Sequence, residues 1–126
     1  MTTSLRTPRK AAAGLGAAKT GTGHFIQQRV TAIALAVLGP WFAFAVATSL
    51  DGGHSGAREF IAQPVTTVLL LLFITAAFHH MRIGMQVVIE DYVAGHGARI
   101  ALLVLNTFAV AALWVTAVVS ILMIAL

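Results

Sequence analysis

The 126-residue sequence contains no cysteine. Disulfides, zinc-thiolate sites and cysteine-ligated iron-sulfur clusters are therefore excluded for this chain acting alone. Acids are also scarce: four Asp and Glu stand against eight Lys and Arg, and none of the four precedes Asp51. Charge of either sign is missing from Val30 to Leu50, from Val65 to Phe78 and from Ile100 to Leu126. What remains is apolar, 59% hydrophobic with only 10% charged residues, which lies outside the range of soluble domains and leaves room for a single membrane domain. Five of the eight basic residues, Arg6, Arg9, Lys10, Lys19 and Arg29, precede the first uncharged run. Such asymmetry sets membrane topology and does not point to nucleic-acid binding.

The fold class expected is an all-α membrane protein with three transmembrane helices, at about 30-50, 65-89 and 100-126. Each run supplies enough residues, at 1.5 Å rise apiece, for a hydrocarbon core of about 30 Å. Residues 1-23 are basic and free of acids; we expect an uncleaved cytoplasmic tail of a bacterial inner-membrane protein, with a mitochondrial transit peptide and inner membrane as the alternative. Residues 24-126 form the membrane domain. Pro40, after Gly39, predicts a mid-span kink. Residues 51-64 read as a short polar connection closed by Pro64 at a helix start, and residues 94-98 as a glycine-punctuated turn. The positive-inside rule places the N-terminus and the loop at 90-99 in the cytoplasm and the C-terminus outside.

The second run carries the chemistry. After fourteen lipid-compatible residues it places His79, His80 and Arg82 where lipid should continue, and it ends in Glu90, Asp91 and Tyr92. Ionisable groups in a span cost roughly 2.5 to 3.5 kcal/mol each on insertion scales, so they face protein, cofactor or water. At 100° per residue, His80 and Asp91 fall within about 20° of one face, with Gly84 one turn after His80. A glycine there lets a flat group or another backbone come close. Neutral imidazole is a good axial ligand for haem iron, and a second subunit can supply the partner histidine. The same residues also suit a proton relay or interhelical hydrogen bonding, and spacing does not choose among the three. Arg82 points away from His80 on the helical wheel, and His79 is about 100° from it. A phenol beside a carboxylate, Tyr92 with Asp91, suits hydrogen bonding to a quinone carbonyl at the membrane border, as it also suits simple anchoring. Arg29 is expected near this pair, with the run from His24 through Gln27 and Gln28 to Arg29 lining the same pocket or capping the first span.

Three motifs, Gln28-Arg29-Val30-Thr31-Ala32, His80-Met81-Arg82-Ile83-Gly84 and Glu90-Asp91-Tyr92-Val93, together resemble the hydrophobic membrane anchor (D) subunits of succinate dehydrogenase, complex II. The motifs cover residues 24-100; the third run and the tail match in character only. The resemblance implies half of a heterodimeric haem-binding helical bundle. His80 would be one axial ligand of haem b, the other coming from a cytochrome b556 membrane subunit. Tyr92 would hydrogen-bond ubiquinone, with Asp91 supporting that site or its proton path. Arg29, Arg82 and His24 would lie near a haem propionate or the quinone pocket. His79 is the competing ligand, and alignment on Gly84 and Asp91-Tyr92 favours His80. The chain itself would not oxidise succinate: that chemistry, with FAD and iron-sulfur clusters, would belong to a flavoprotein subunit and an iron-sulfur subunit docked on the cytoplasmic face. The rival readings are a haem-free structural anchor, a fumarate reductase anchor and a proton-relay protein. A relay would stop halfway, because Val65 to Phe78 offers no ionisable group.

Overall fold

The computed structural model describes residues 7, 9, 21-49 and 52-126. Most of the basic tail expected at 1-23 lies outside the described residues. Four helices follow in order: α1 Gly21–Ser49, α2 Gly53–Ala62, α3 Pro64–Tyr92 and α4 His96–Ala125. The three long ones are apolar and long enough to cross a membrane.

All three outrun their expected spans. Helix α1 begins nine residues before Val30, so the polar segment from His24 to Arg29 is helical and extends the span instead of capping it. Backbone entering lipid has no water to bond, which favours continuing the helix through the interface. Inside the spans, hydroxyls fold back onto their own helix. Thr48 donates to Phe44 O at 3.1 Å, Thr107 to Leu103 O at 3.0 Å, and Ser120 to Thr116 O at 2.8 Å. Each polar group is thereby satisfied without a partner chain. Helix α1 runs unbroken through Pro40.

The connection at 51-64 is not simply a loop, since most of it forms α2. Gly56, Ala57, Phe60 and Ile61 are half-buried while His54, Arg58 and Glu59 are exposed, an i, i+1, i+4, i+5 pattern that makes one apolar face. Gly53, at φ 59°, turns the chain into this helix. Gln63 is extended and Pro64 takes the first position of α3, where its missing N–H costs nothing. The corner is tied by Thr67, whose hydroxyl contacts Ile61 O at 2.7 Å and Gln63 O at 3.1 Å.

The turn after α3 is shorter than expected, at 93-95, with His96 already helical. No left-handed glycine stops α3. Val93 is extended instead, at φ −98° and ψ 102°. The Arg99 side chain reaches back to donate from Nε to Val93 O at 3.0 Å.

Helix α3 lies between its neighbours. It packs against α1 on one side and α4 on the other, while α1 and α4 do not approach each other. The buried side chains follow this plan, with Thr66, Thr67, Leu70, Ile83 and Ile89 on α3 against Ala45 on α1 and Val110 on α4. Phe42 stacks on Phe73 with ring centroids 4.5 Å apart. On the other side, Trp114 Nε1 donates to Thr75 Oγ1 at 3.1 Å and Asn106 Nδ2 to Arg82 O at 3.0 Å. Contacts of α3 with both neighbours run antiparallel, so the start of α1 and the end of α3 share one membrane face.

Candidate functional site

His80 is half-buried between α3 and α1, and both ring nitrogens have partners on α1. Nδ1 lies 3.0 Å from Thr31 Oγ1, and Nε2 lies 3.3 Å from Gln28 Nε2. Gln28 and Thr31 are three residues apart, hence on one helical face. Gly84 lies beside Gln28: a Cβ built there would stand 3.7 Å from the Gln28 amide nitrogen, an ordinary van der Waals contact, so alanine would fit and only a larger side chain would press on the amide. The side of α3 expected to admit a close neighbour beside His80 here meets α1. Gln28 Oε1 is buried with no hydrogen-bond partner among the described residues. An amide left with a bare carbonyl oxygen in an apolar bundle carries a penalty of about 1 to 3 kcal/mol.

His79 also reaches α1, at a different residue. Its Nε2 is 3.2 Å from Gln27 Oε1, and with Thr75, Phe78, Arg82, Val110 and Trp114 it lines an open cleft of about 380 Å³ between α3 and α4. The Arg82 side chain is half-buried there and makes no hydrogen bond or ion pair with another described residue. Both histidines therefore reach α1, His80 through Thr31 and Gln28 and His79 through Gln27, while His79 alone also lines the outer cleft. Among the described residues no three His, Cys, Asp or Glu side chains converge, so a metal at His80 or His79 would take its remaining ligands from outside the described residues.

Asp91 and Tyr92 stand at the last turn of α3, both exposed, with no side-chain hydrogen bond between them or to any other described residue. Beside them Gln86 Nε2 donates to Glu90 Oε1 at 2.8 Å. Arg29 does not join this group. It directly follows Gln28 and so stands level with His80, roughly 16 Å of helical rise from Asp91, and its guanidinium lies 5.2 Å over the Phe25 ring. The helix already runs at Gly21, so Arg29 lies at least two turns inside it, not at its mouth. His24 is exposed on the first turn, nearer the Asp91–Tyr92 end than Arg29 is.

Sequence reasoning singled out His80 and Gly84 but not Thr31, and it left Gln27 and Gln28 as pocket lining or a cap. The available signal was a Gln-Gln-x-x-Thr cluster on one face of a helix that should be apolar, facing a histidine pair on another.

The succinate dehydrogenase/fumarate reductase transmembrane subunit family model matches residues 3–123. A succinate dehydrogenase hydrophobic membrane anchor subunit of Paracoccus denitrificans is 34% identical over 97 residues, which is 77% of this chain and 75% of that protein. The equivalent subunit of Rickettsia conorii is 33% identical over 91 residues, 71% of this chain and 72% of its own. That of Rickettsia bellii is 30% identical over 104 residues, 82% and 83% respectively. No solved structure matches the chain. With nearly its whole length matched and its three membrane-length helices in place, the chain belongs to the succinate dehydrogenase/fumarate reductase transmembrane subunit family.

Proposed function

We propose that the chain is the D-type membrane anchor of a succinate:ubiquinone oxidoreductase in the bacterial inner membrane, its N-terminus cytoplasmic. It holds a flavoprotein and an iron-sulfur subunit to the face where α3 ends, shares haem b with a cytochrome b556 subunit, and contributes to the ubiquinone reduction site. The observation that carries the haem part is the setting of His80. Its Nδ1 has an oxygen partner on the chain's own α1, while its Nε2 meets only the amide of Gln28, whose Oε1 lacks a partner of its own. A histidine that bonds an acceptor through one nitrogen and meets a displaceable group at the other suits iron ligation. Arg29, level with His80, would meet a haem propionate sooner than a quinone beside Tyr92.

Haem b, when bound, supplies a one-electron redox centre within the bilayer. The chain's own residues then have separate tasks. His80 would hold the haem iron through Nε2. Tyr92 donates its phenolic proton in a hydrogen bond to a quinone carbonyl oxygen, which fixes the ring and withdraws charge as that oxygen is reduced. Asp91, exposed beside it, relays protons between water and that oxygen. Gly84 presents no side chain on the His80 face, where Gln28 lies.

The test is a dithionite-reduced minus oxidised spectrum of the purified complex carrying His80→Leu or His79→Leu, with subunits identified on a gel. Loss of the b-type signal in His80→Leu alone is the expected result. Loss in His79→Leu alone would move the ligand into the outer cleft. A wild-type complex with its soluble partners but no haem signal would leave a structural anchor.

A further inference from the structure

We propose that Thr31 is the positioning residue that sets the tautomer of His80 and thereby decides which ring nitrogen is offered to iron; the inference rests on the haem reading of His80 given above. A threonine hydroxyl has one proton. Two carbonyls of its own helix compete for it, Gln27 O at 2.8 Å and Gln28 O at 3.1 Å. With the proton directed to these, Thr31 Oγ1 presents a lone pair to His80 Nδ1 at 3.0 Å, and a contact of that length requires the hydrogen to be on Nδ1. With Nδ1 protonated, Nε2 carries the lone pair and faces the Gln28 amide, 3.3 Å away.

The opposite tautomer requires Thr31 to withdraw its proton from the carbonyl 2.8 Å away. The two partners also differ in permanence. Thr31 is one short side chain bonded to its own backbone, and it stays in place. Gln28 is long and rests beside Gly84, so it moves away from Nε2 when iron takes that position. Thr31 then acts from behind the ring, orienting the imidazole and raising its basicity through Nδ1–H···O, an outer contact that typically changes metal affinity 10- to 100-fold.

The experiment uses the whole complex with its partner subunits and compares Thr31→Val, Thr31→Ala and Thr31→Ser with His80→Leu. Haem retention against apomyoglobin as competitor, the haem midpoint potential and the low-temperature EPR spectrum of the oxidised haem are read for each. Valine and alanine are expected to weaken haem retention by about 10- to 100-fold and to shift the potential, while serine, which keeps the hydroxyl, retains wild-type values. Running alanine beside valine separates loss of the hydroxyl from any packing defect peculiar to valine. Unchanged retention and potential in both valine and alanine variants, in a complex where His80→Leu has lost its haem, would overturn the role of Thr31 and leave the haem reading standing. Retention of haem by His80→Leu itself would instead remove the haem reading on which the inference rests.

Discussion

Tyr92 is 84% exposed and its hydroxyl has no partner among the described residues, so removing that oxygen costs the fold nothing. Tyr92→Phe is therefore expected to leave the haem spectrum and complex assembly unchanged while lowering kcat/KM for quinone reduction by about tenfold, the worth of one hydrogen bond of about 1.4 kcal/mol. A steady-state assay with soluble ubiquinone checks it; an unchanged quinone KM and kcat would take the phenol out of the site. Gly84→Leu makes the complementary case. Its side chain would fill the space now held by Gln28, so haem content should fall below a tenth of wild type, read by the difference spectrum. His80, Gly84 and Asp91 were legible from the sequence because they lie on one helix, where 3.6-residue periodicity fixes their relation. Gln28 and Thr31 were not. Their contacts with His80 cross 52 and 49 residues, and their register depends on where α1 begins, which the polar segment at 24-29 concealed. Arg29 was misplaced relative to Asp91 for the same reason.

Helix α3 is the only long element that touches both others, and its most enclosed residue is Ile83, 2% exposed. In lipid, packing between helices rests on van der Waals contact because apolar surface gains nothing from leaving one hydrocarbon for another. Ile83→Ala should leave a cavity of roughly 80 Å³ and cost on the order of 2 kcal/mol, seen as a lowered midpoint when haem absorbance is followed during denaturation. Asn106→Leu removes a hydrogen bond to Arg82 O, an oxygen that the helix already satisfies. Its cost is expected nearer 0.6 kcal/mol, the usual size for such bonds in membrane bundles. Should the asparagine change prove the larger, the α3–α4 seam would be held by polar contact and not by packing. The existence of three spans was legible, since uncharged runs of that length have few other uses. Helix α2 was hidden because its ten residues carry an apolar face of only four and two glycines, a composition that also reads as a turn.

The described residues form a row of three spans, α1–α3–α4, whose outer members do not meet. Such a row has two broad apolar faces and encloses little. On the proposed reading one broad face belongs to a second membrane subunit, and membranes containing this chain alone should show no b-type absorbance, the signal appearing only on co-expression with that subunit. A full b-type spectrum from the chain alone would mean that its own histidines supply both ligands. The same row governs how the protein is made. Helix α1 enters the membrane carrying Gln27, Gln28 and Thr31, and the histidines that receive them are synthesised about 50 residues later. At roughly 5 to 20 residues per second, that delay is about 3 to 10 s. During it the first span holds two glutamine amides with no partner on the chain, so the newborn segment stays at the insertion machinery or near the lipid headgroups until the second span arrives to release it.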